Sequence, residues 1–130
     1  MKFLGIDYGI KRIGLAIADD QMKIASPFKT IQNGRQIIDE IERICYNEKA
    51  EKVIIGIPKH LSGRKHELTS EIEKFGNLLE GKLGFPIIYE DERLTSRMAQ
   101  EKSKGLSKTK EKLDELSAQE ILQSYLDKLS

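Results

Sequence analysis

Residues 53–90, VIIGIPKHLSGRKHELTSEIEKFGNLLEGKLGFPIIYE, read as strand, helix, strand. Val53 to Ile57 is the continuous apolar run that a strand covered on both faces requires, and Pro58, with no N–H for a ladder, stops it. A loop, His60 to Gly63, follows. Ile72, Phe75, Leu78 and Leu79 then fall at helical spacing in a segment from about His66 to Leu83, all four expected to face inward, and Gly84 stands near the C-cap position. Phe85 to Glu90 is again strand-like. Two strands joined through a helix run parallel in one sheet, because the helix carries the chain back across the sheet face.

Reading outward extends the same architecture. Between Gly34 and Glu48, Ile37, Ile38, Ile41, Ile44 and Cys45 recur at three- and four-residue spacings, an amphipathic helix. Before it, Lys2 to Ile6, Arg12 to Ala18 and Lys23 to Ile31 form three strand-like runs, with Gly9 and Asp19-Asp20 at the turns between them. They predict an antiparallel meander. Downstream, Thr95 to about Ser103 predicts a short helix and Lys110 to Leu129 a long one. The expected fold is α/β: a mixed five-stranded sheet, antiparallel meander plus parallel strands, with helices on both faces, residues 1–130 forming one domain.

Composition narrows the function classes. With 38% hydrophobic and 33% charged residues, the 130-residue chain has enough apolar side chains for a core and is neither disordered nor fibrous in character. The longest apolar run, Ile13 to Ala18, is far short of the roughly 20 residues a membrane helix needs. Asp7 interrupts the apolar stretch after Lys2 before a secretory h-region could form. A cytoplasmic protein with no membrane partner is expected. The single cysteine, Cys45, lies within a helical apolar pattern and is expected to be an inert buried thiol. Net charge is only +1, but it is polarised along the chain. Arg97, Lys102, Lys104, Lys108, Lys110 and Lys112 face only Glu101 and Glu111 in the same segment, and Lys59, Arg64 and Lys65 cluster with both histidines, His60 and His66. Local basic segments of this kind bind polyanions. The two histidines lack helical metal-ligand spacing and suit phosphate or surface roles.

Three acids stand where strands end. Asp7 closes the first strand, and Asp91-Glu92 follow the fifth. Asp114 falls in the last helix on the face of Ala118, Ile121 and Tyr125, four, seven and eleven residues on. A carboxylate on an apolar face must be paired, protonated or bound to a cation. Sequence-near candidates offer Lys110, one turn earlier, as the partner that would make Asp114 merely structural. If the acids converge, their mutual repulsion calls for a cation, and oxygen donors suit Mg²⁺ or Mn²⁺. Such a site can activate water and stabilise the leaving oxygen of a phosphodiester.

The residues Gly5-Ile6-Asp7-Tyr8-Gly9-Ile10-Lys11-Arg12-Ile13-Gly14-Leu15-Ala16, Gly56-Ile57-Pro58 with Gly63, Asp91-Glu92-Arg93-Leu94-Thr95-Ser96, and Leu113-Asp114 with Ala118 and Ile121-Leu122 resemble the YqgF/RuvX family over the whole chain, in order. This is the pre-16S rRNA nuclease, or Holliday junction resolvase-like, family. The resemblance implies a ribonuclease H-like fold and metal-dependent cleavage of structured nucleic acid, with maturation of the 5′ end of the small-subunit rRNA as the bacterial role. It implies Asp7, Glu92 and Asp114 as catalytic, metal-binding carboxylates, with Asp91 outside the set. Gly9, Lys11 and Arg12 match the hairpin beside the site, and Arg93 and Thr95 the substrate-side loop. Ser117 and Lys59-His60 depart from the family pattern, the first still a small residue, the second in a loop that touches substrate rather than the carboxylates. Partners implied are nucleic acid, pre-rRNA before branched DNA, and ribosomal particles. Either a monomer or a homodimer fits.

Two other readings compete. Actin-like and sugar-kinase ATPases also open on Asp-x-Gly in a hairpin, but they enclose nucleotide between two such domains and 130 residues offer one. A non-catalytic RNA- or ribosome-associated factor of antitermination type would keep the acids as a structural site.

Overall fold

Five runs rich in β-branched and aliphatic residues form one sheet, and its order follows from how they are connected. The computed structural model of the chain describes residues 1–58, 64–92 and 109–129, the side chains of 64–66 and 92 excepted. Strands β1 (Lys2–Asp7), β2 (Arg12–Asp19) and β3 (Ile24–Gln32) are joined by short turns and pair antiparallel. Helix α1 (Ile37–Glu48) then carries the chain to β4 (Ala50–Pro58), and α2 (Arg64–Leu83) carries it to β5 (Ile87–Glu92). β4 pairs parallel with β1, and β5 parallel with β4, so the sheet order is β3-β2-β1-β4-β5. A final helix, α3 (Lys110–Lys128), follows. Among the described residues no helix is long and apolar enough to cross a membrane.

Strand alternation divides the apolar side chains between two cores. Leu4, Ile6, Ile13, Leu15, Val53 and Ile55 pack with Ile37, Ile41 and Ile44 of α1 and Ile72, Phe75 and Leu79 of α2. On the opposite face, Phe3, Ala16, Ala18 and Ile54 pack with Ala118, Ile121, Leu122 and Leu126 of α3. The helices therefore lie on both faces, as the periodicity predicts. Between the larger Phe3 and Ile54, the α3 face carries Gly5, Gly14, Ala16 and Ala18, and a methyl added at Gly5 would stand 2.8 Å from Leu122 Cβ. A helix can lie this close only on a surface stripped of side chains.

Three expectations shift. Leu78 is 65% exposed rather than inward. At about 100° per residue it sits roughly 100° off the centre of the Ile72, Phe75 and Leu79 stripe, so an apolar residue there faces water. β5 begins at Ile87 rather than Phe85, because Pro86 has no N–H to donate, and it runs on through Asp91 and Glu92, which pair with Ile57 and Pro58. Pro58 thus closes β4 from within. Gly84 does end α2, with φ of +81° and its N–H on the Glu80 carbonyl at 2.9 Å. The helix expected over Thr95 to Ser103, the loop residues His60 and Gly63, and the lysines 102, 104 and 108 lie outside the described residues.

Candidate active site at the carboxyl end of β1

Asp7 is the last residue of β1 and, by the two-residue repeat, shares the side of Phe3 and Gly5 facing α3, where it is 7% exposed. Its register partner on β2 is Gly14. A methyl at Gly14 would overlap the main-chain carbonyl of Asp114 and come 2.9 Å from Asp114 Cβ. Since Cβ positions of cross-strand partners are about 5 Å apart, the Asp114 Cβ stands within about 8 Å of that of Asp7. The missing side chain at Gly14 is what lets two buried carboxylates, Asp7 and the 5% exposed Asp114, share one end of the sheet.

Helix α3 is fixed from several sides along its length. The Thr109 hydroxyl accepts the Lys112 N–H at 3.1 Å as N-cap. Thr30 donates to the Glu111 carbonyl at 2.7 Å, and Gln123 and Gln119 bond the N–H and carbonyl of Ala25, each at 2.9 Å. These bonds stitch α3 to the edge strand β3, where the backbone groups would otherwise want a sixth strand. Asp114 also has a charge partner, though not the expected Lys110, which is exposed. Arg12 Nε donates to Asp114 Oδ2 at 2.7 Å. Arg12 opens β2 two residues before Gly14, so strand alternation puts it on the α3 side beside the helix. A pair separated by about a hundred residues has no local signature in sequence.

The turn between β1 and β2 is held rigidly. Gly9 is needed for space: a methyl there would overlap the Arg12 carbonyl. Asn33, just past β3, donates from Nδ2 to the Gly9 carbonyl at 2.8 Å and from its backbone N–H to the Lys11 carbonyl at 2.9 Å. Tyr8 packs its ring on Phe75 of α2, centroids 4.9 Å apart. Lys11 is exposed on the turn. Sequence reasoning passed over Asn33; an amide after a strand signals only a turn until the partner turn is known.

Glu92 ends β5, paired with Pro58, so one strand lies between its backbone and that of Asp7, a lateral separation of about 10 Å. Its side chain and the residues Arg93 and Thr95 lie outside what the structure describes. Two residues earlier, Glu90 is buried at 4% exposure, accepts from Ser124 Oγ at 2.7 Å and pairs with Lys128 Nζ at 2.7 Å. Sequence reasoning missed this acid, whose signal was its place between Ile88 and Glu92 on one side of β5. It clamps the far end of α3 as Arg12 clamps the near end. Among the described residues, no three His, Cys, Asp or Glu side chains come together as a complete metal site. Cys45 lies in the other core, and burial, with Glu42 adding to it, pushes its thiol from an ordinary 9.0 up to about 11. It is the inert thiol that the sequence predicts.

The sheet order, with an acid at the end of the central strand and a helix-borne acid beside it, defines a ribonuclease H-like domain. Solved structures share this fold. RuvC of T. thermophilus in complex with a Holliday junction substrate superimposes with a TM-score of 0.66 at 14% identity, covering 99% of this chain and 96% of that one. Fowlpox virus resolvase with Holliday junction DNA gives 0.62 at 15% identity, covering 99% of both chains. The chain belongs to the RuvX family, whose model, described as Holliday junction resolvase, matches residues 1–128. Relatives bearing the name "putative pre-16S rRNA nuclease" include those of Methylobacillus flagellatus, 40% identical over 98% of this chain and 91% of the relative, and Caldanaerobacter subterraneus, 38% identical over 98% and 96%.

Proposed function

We propose that this chain is a cytoplasmic nuclease of one domain that hydrolyses phosphodiester bonds in structured nucleic acid, with the 5′ region of pre-16S rRNA, free or in ribosomal particles, as its substrate. The observation that carries the reading is the close placement of two buried carboxylates, Asp7 and Asp114, at the carboxyl end of β1. Relatives at 38–40% identity carry the corresponding name, which supports the choice of RNA.

The donor set fits a hard divalent cation: carboxylate oxygens, with the thiol confined to the other core. Asp7, Asp114 and Glu92 are the residues that would hold Mg²⁺ or Mn²⁺. Bound there, the cation supplies activation of water and stabilisation of the leaving oxygen. The chain's own groups do the rest. Asp7 and Asp114 are held by strand and helix rather than by loops, which positions them more precisely than loops would. Gly9 keeps the turn narrow enough for a phosphate backbone to approach. Lys11, Arg12 and Arg93 offset phosphate charge, Thr95 hydrogen-bonds the strand, and the lysines at 102, 104, 108, 110 and 112 extend the basic track. The substrate is bound by a monomer or by a homodimer with two such tracks.

The test is cleavage of a labelled pre-16S 5′ fragment beside a four-way DNA junction, in Mg²⁺, in Mn²⁺ and in chelator, with Asp7→Asn as control. Metal-dependent cleavage of the RNA, lost in the variant, is expected. Preference for the junction makes the substrate branched DNA, and RNA binding without cleavage of either makes the chain a binding factor.

A further inference from the structure

We propose that Arg12 is an exchangeable counter-ion of Asp114, released from the carboxylate when a nucleic-acid phosphate engages its guanidinium, so that cation binding and nucleic-acid binding at this site are coupled. The inference rests on the carboxylate reading above and adds to it a residue that links the two ligands. Arg12 meets Asp114 through Nε, the innermost guanidinium nitrogen, at 2.7 Å. The terminal NH₂ groups carry four further donors in the same plane, the fork that phosphate accepts. The two sides of the pair differ in exposure: the Asp114 side chain is 7% exposed and that of Arg12 24%. The carboxylate is therefore fixed and the cation reaches solvent. Arg12 also begins β2 directly after the braced turn, so its long side chain can swing while its backbone stays in register with Gln32.

Such a guanidinium serves Asp114 while no substrate is bound, because a buried carboxylate beside Asp7 needs a positive neighbour. The same charge opposes a divalent cation at the same oxygen. A phosphate arriving at the turn attracts the guanidinium outward, and Asp114 then presents its oxygen to the cation. Linkage makes the effect reciprocal: whatever factor nucleic acid adds to cation affinity, the cation adds to nucleic-acid affinity.

The experiment measures Mn²⁺ binding by electron paramagnetic resonance, with and without an RNA hairpin whose integrity is checked on a denaturing gel. It uses the wild type, Arg12→Gln, Arg12→Lys and Asp7→Asn, each shown folded by circular dichroism. In the wild type the hairpin is expected to raise Mn²⁺ affinity at least about tenfold, in the usual range of coupling. Arg12→Gln is expected to bind Mn²⁺ more tightly without RNA and to gain less than about twofold from the hairpin. Arg12→Lys, which keeps the charge and loses the fork, is expected to fall between them. The RNA's own phosphates would raise affinity equally in all variants, so an equal gain in wild type and Arg12→Gln overturns the exchange, while loss of Mn²⁺ in Asp7→Asn leaves the carboxylate reading standing. Absence of Mn²⁺ binding in every condition overturns both.

Discussion

Replacing Gly14 by alanine tests whether a missing side chain builds the site. The added methyl would overlap the carbonyl of Asp114, a main-chain group in the first turns of α3 that no rotamer change can move. To restore ordinary contact, that end of α3 must withdraw by about 1 Å, and overpacking against backbone costs about 1–3 kcal/mol. For a chain of 130 residues each kcal/mol corresponds to roughly 3–5 °C in Tm, so a loss of about 3–15 °C is expected. The catalytic loss is larger in proportion, because a 1 Å displacement of Asp114 from Asp7 costs on the order of 10²-fold in rate. Gly34→Ala is the matched control: nothing lies within 4 Å of the added methyl and its φ is not positive, so Tm and rate should hold. Calorimetry and single-turnover cleavage of the pre-16S fragment on both variants decide the matter. Wild-type melting and cleavage in Gly14→Ala would show that α3 is not held at that distance and refute the geometry of the site.

Other perturbations follow from single contacts. Asp7→Asn should keep the fold by circular dichroism and lower cleavage by at least about 10²–10³-fold, the loss found for removing one electrostatic stabiliser at a reacting centre. Asn33→Ala removes the bond to the Gly9 carbonyl and should cost about 1 kcal/mol in denaturant unfolding, with slower cleavage as the turn loosens. Cys45 makes stability pH-dependent: its folded thiol titrates near 11 against 9.0 when exposed, so above pH 9 the unfolded chain binds fewer protons. Stability from this group is whole below pH 9 and falls by about 1.4 kcal/mol per pH unit between 9 and 11. Urea titrations of wild type and Cys45→Val over that range should diverge accordingly, and a thiol reagent at pH 8 should label the wild type only in denaturant. Glu90→Gln leaves Lys128 without its buried carboxylate; because Lys128 is 63% exposed, the cost in Tm should correspond to about 1 kcal/mol rather than the several of a fully buried pair.

The division of the chain into strands and helices was legible because each period is local. The alternation that puts Asp7 with Phe3 and Gly5, and the helical spacing that puts Asp114 with Ala118 and Ile121, can be read from a few residues at a time. Leu78 shows where this fails: an apolar residue at the margin of a stripe looks inward until the angle of the buried face is known. The ends of β4 and β5 are not legible in the sequence for a related reason, since a strand's length is set by its neighbour's register as well as by its own residues.

Sequence by itself determined the α/β class, the helices on both faces, the inert character of Cys45 and, through resemblance, the family and the acids to watch. Tertiary structure alone decided that Gly14 opens the space between Asp7 and Asp114, that Arg12 rather than Lys110 balances Asp114, and that Asn33 and Glu90 brace the turn and the helix. The physical reason is range: periodicity and turn chemistry act over a few residues, whereas a charge pair or a close backbone approach depends on which distant segments the sheet order brings side by side.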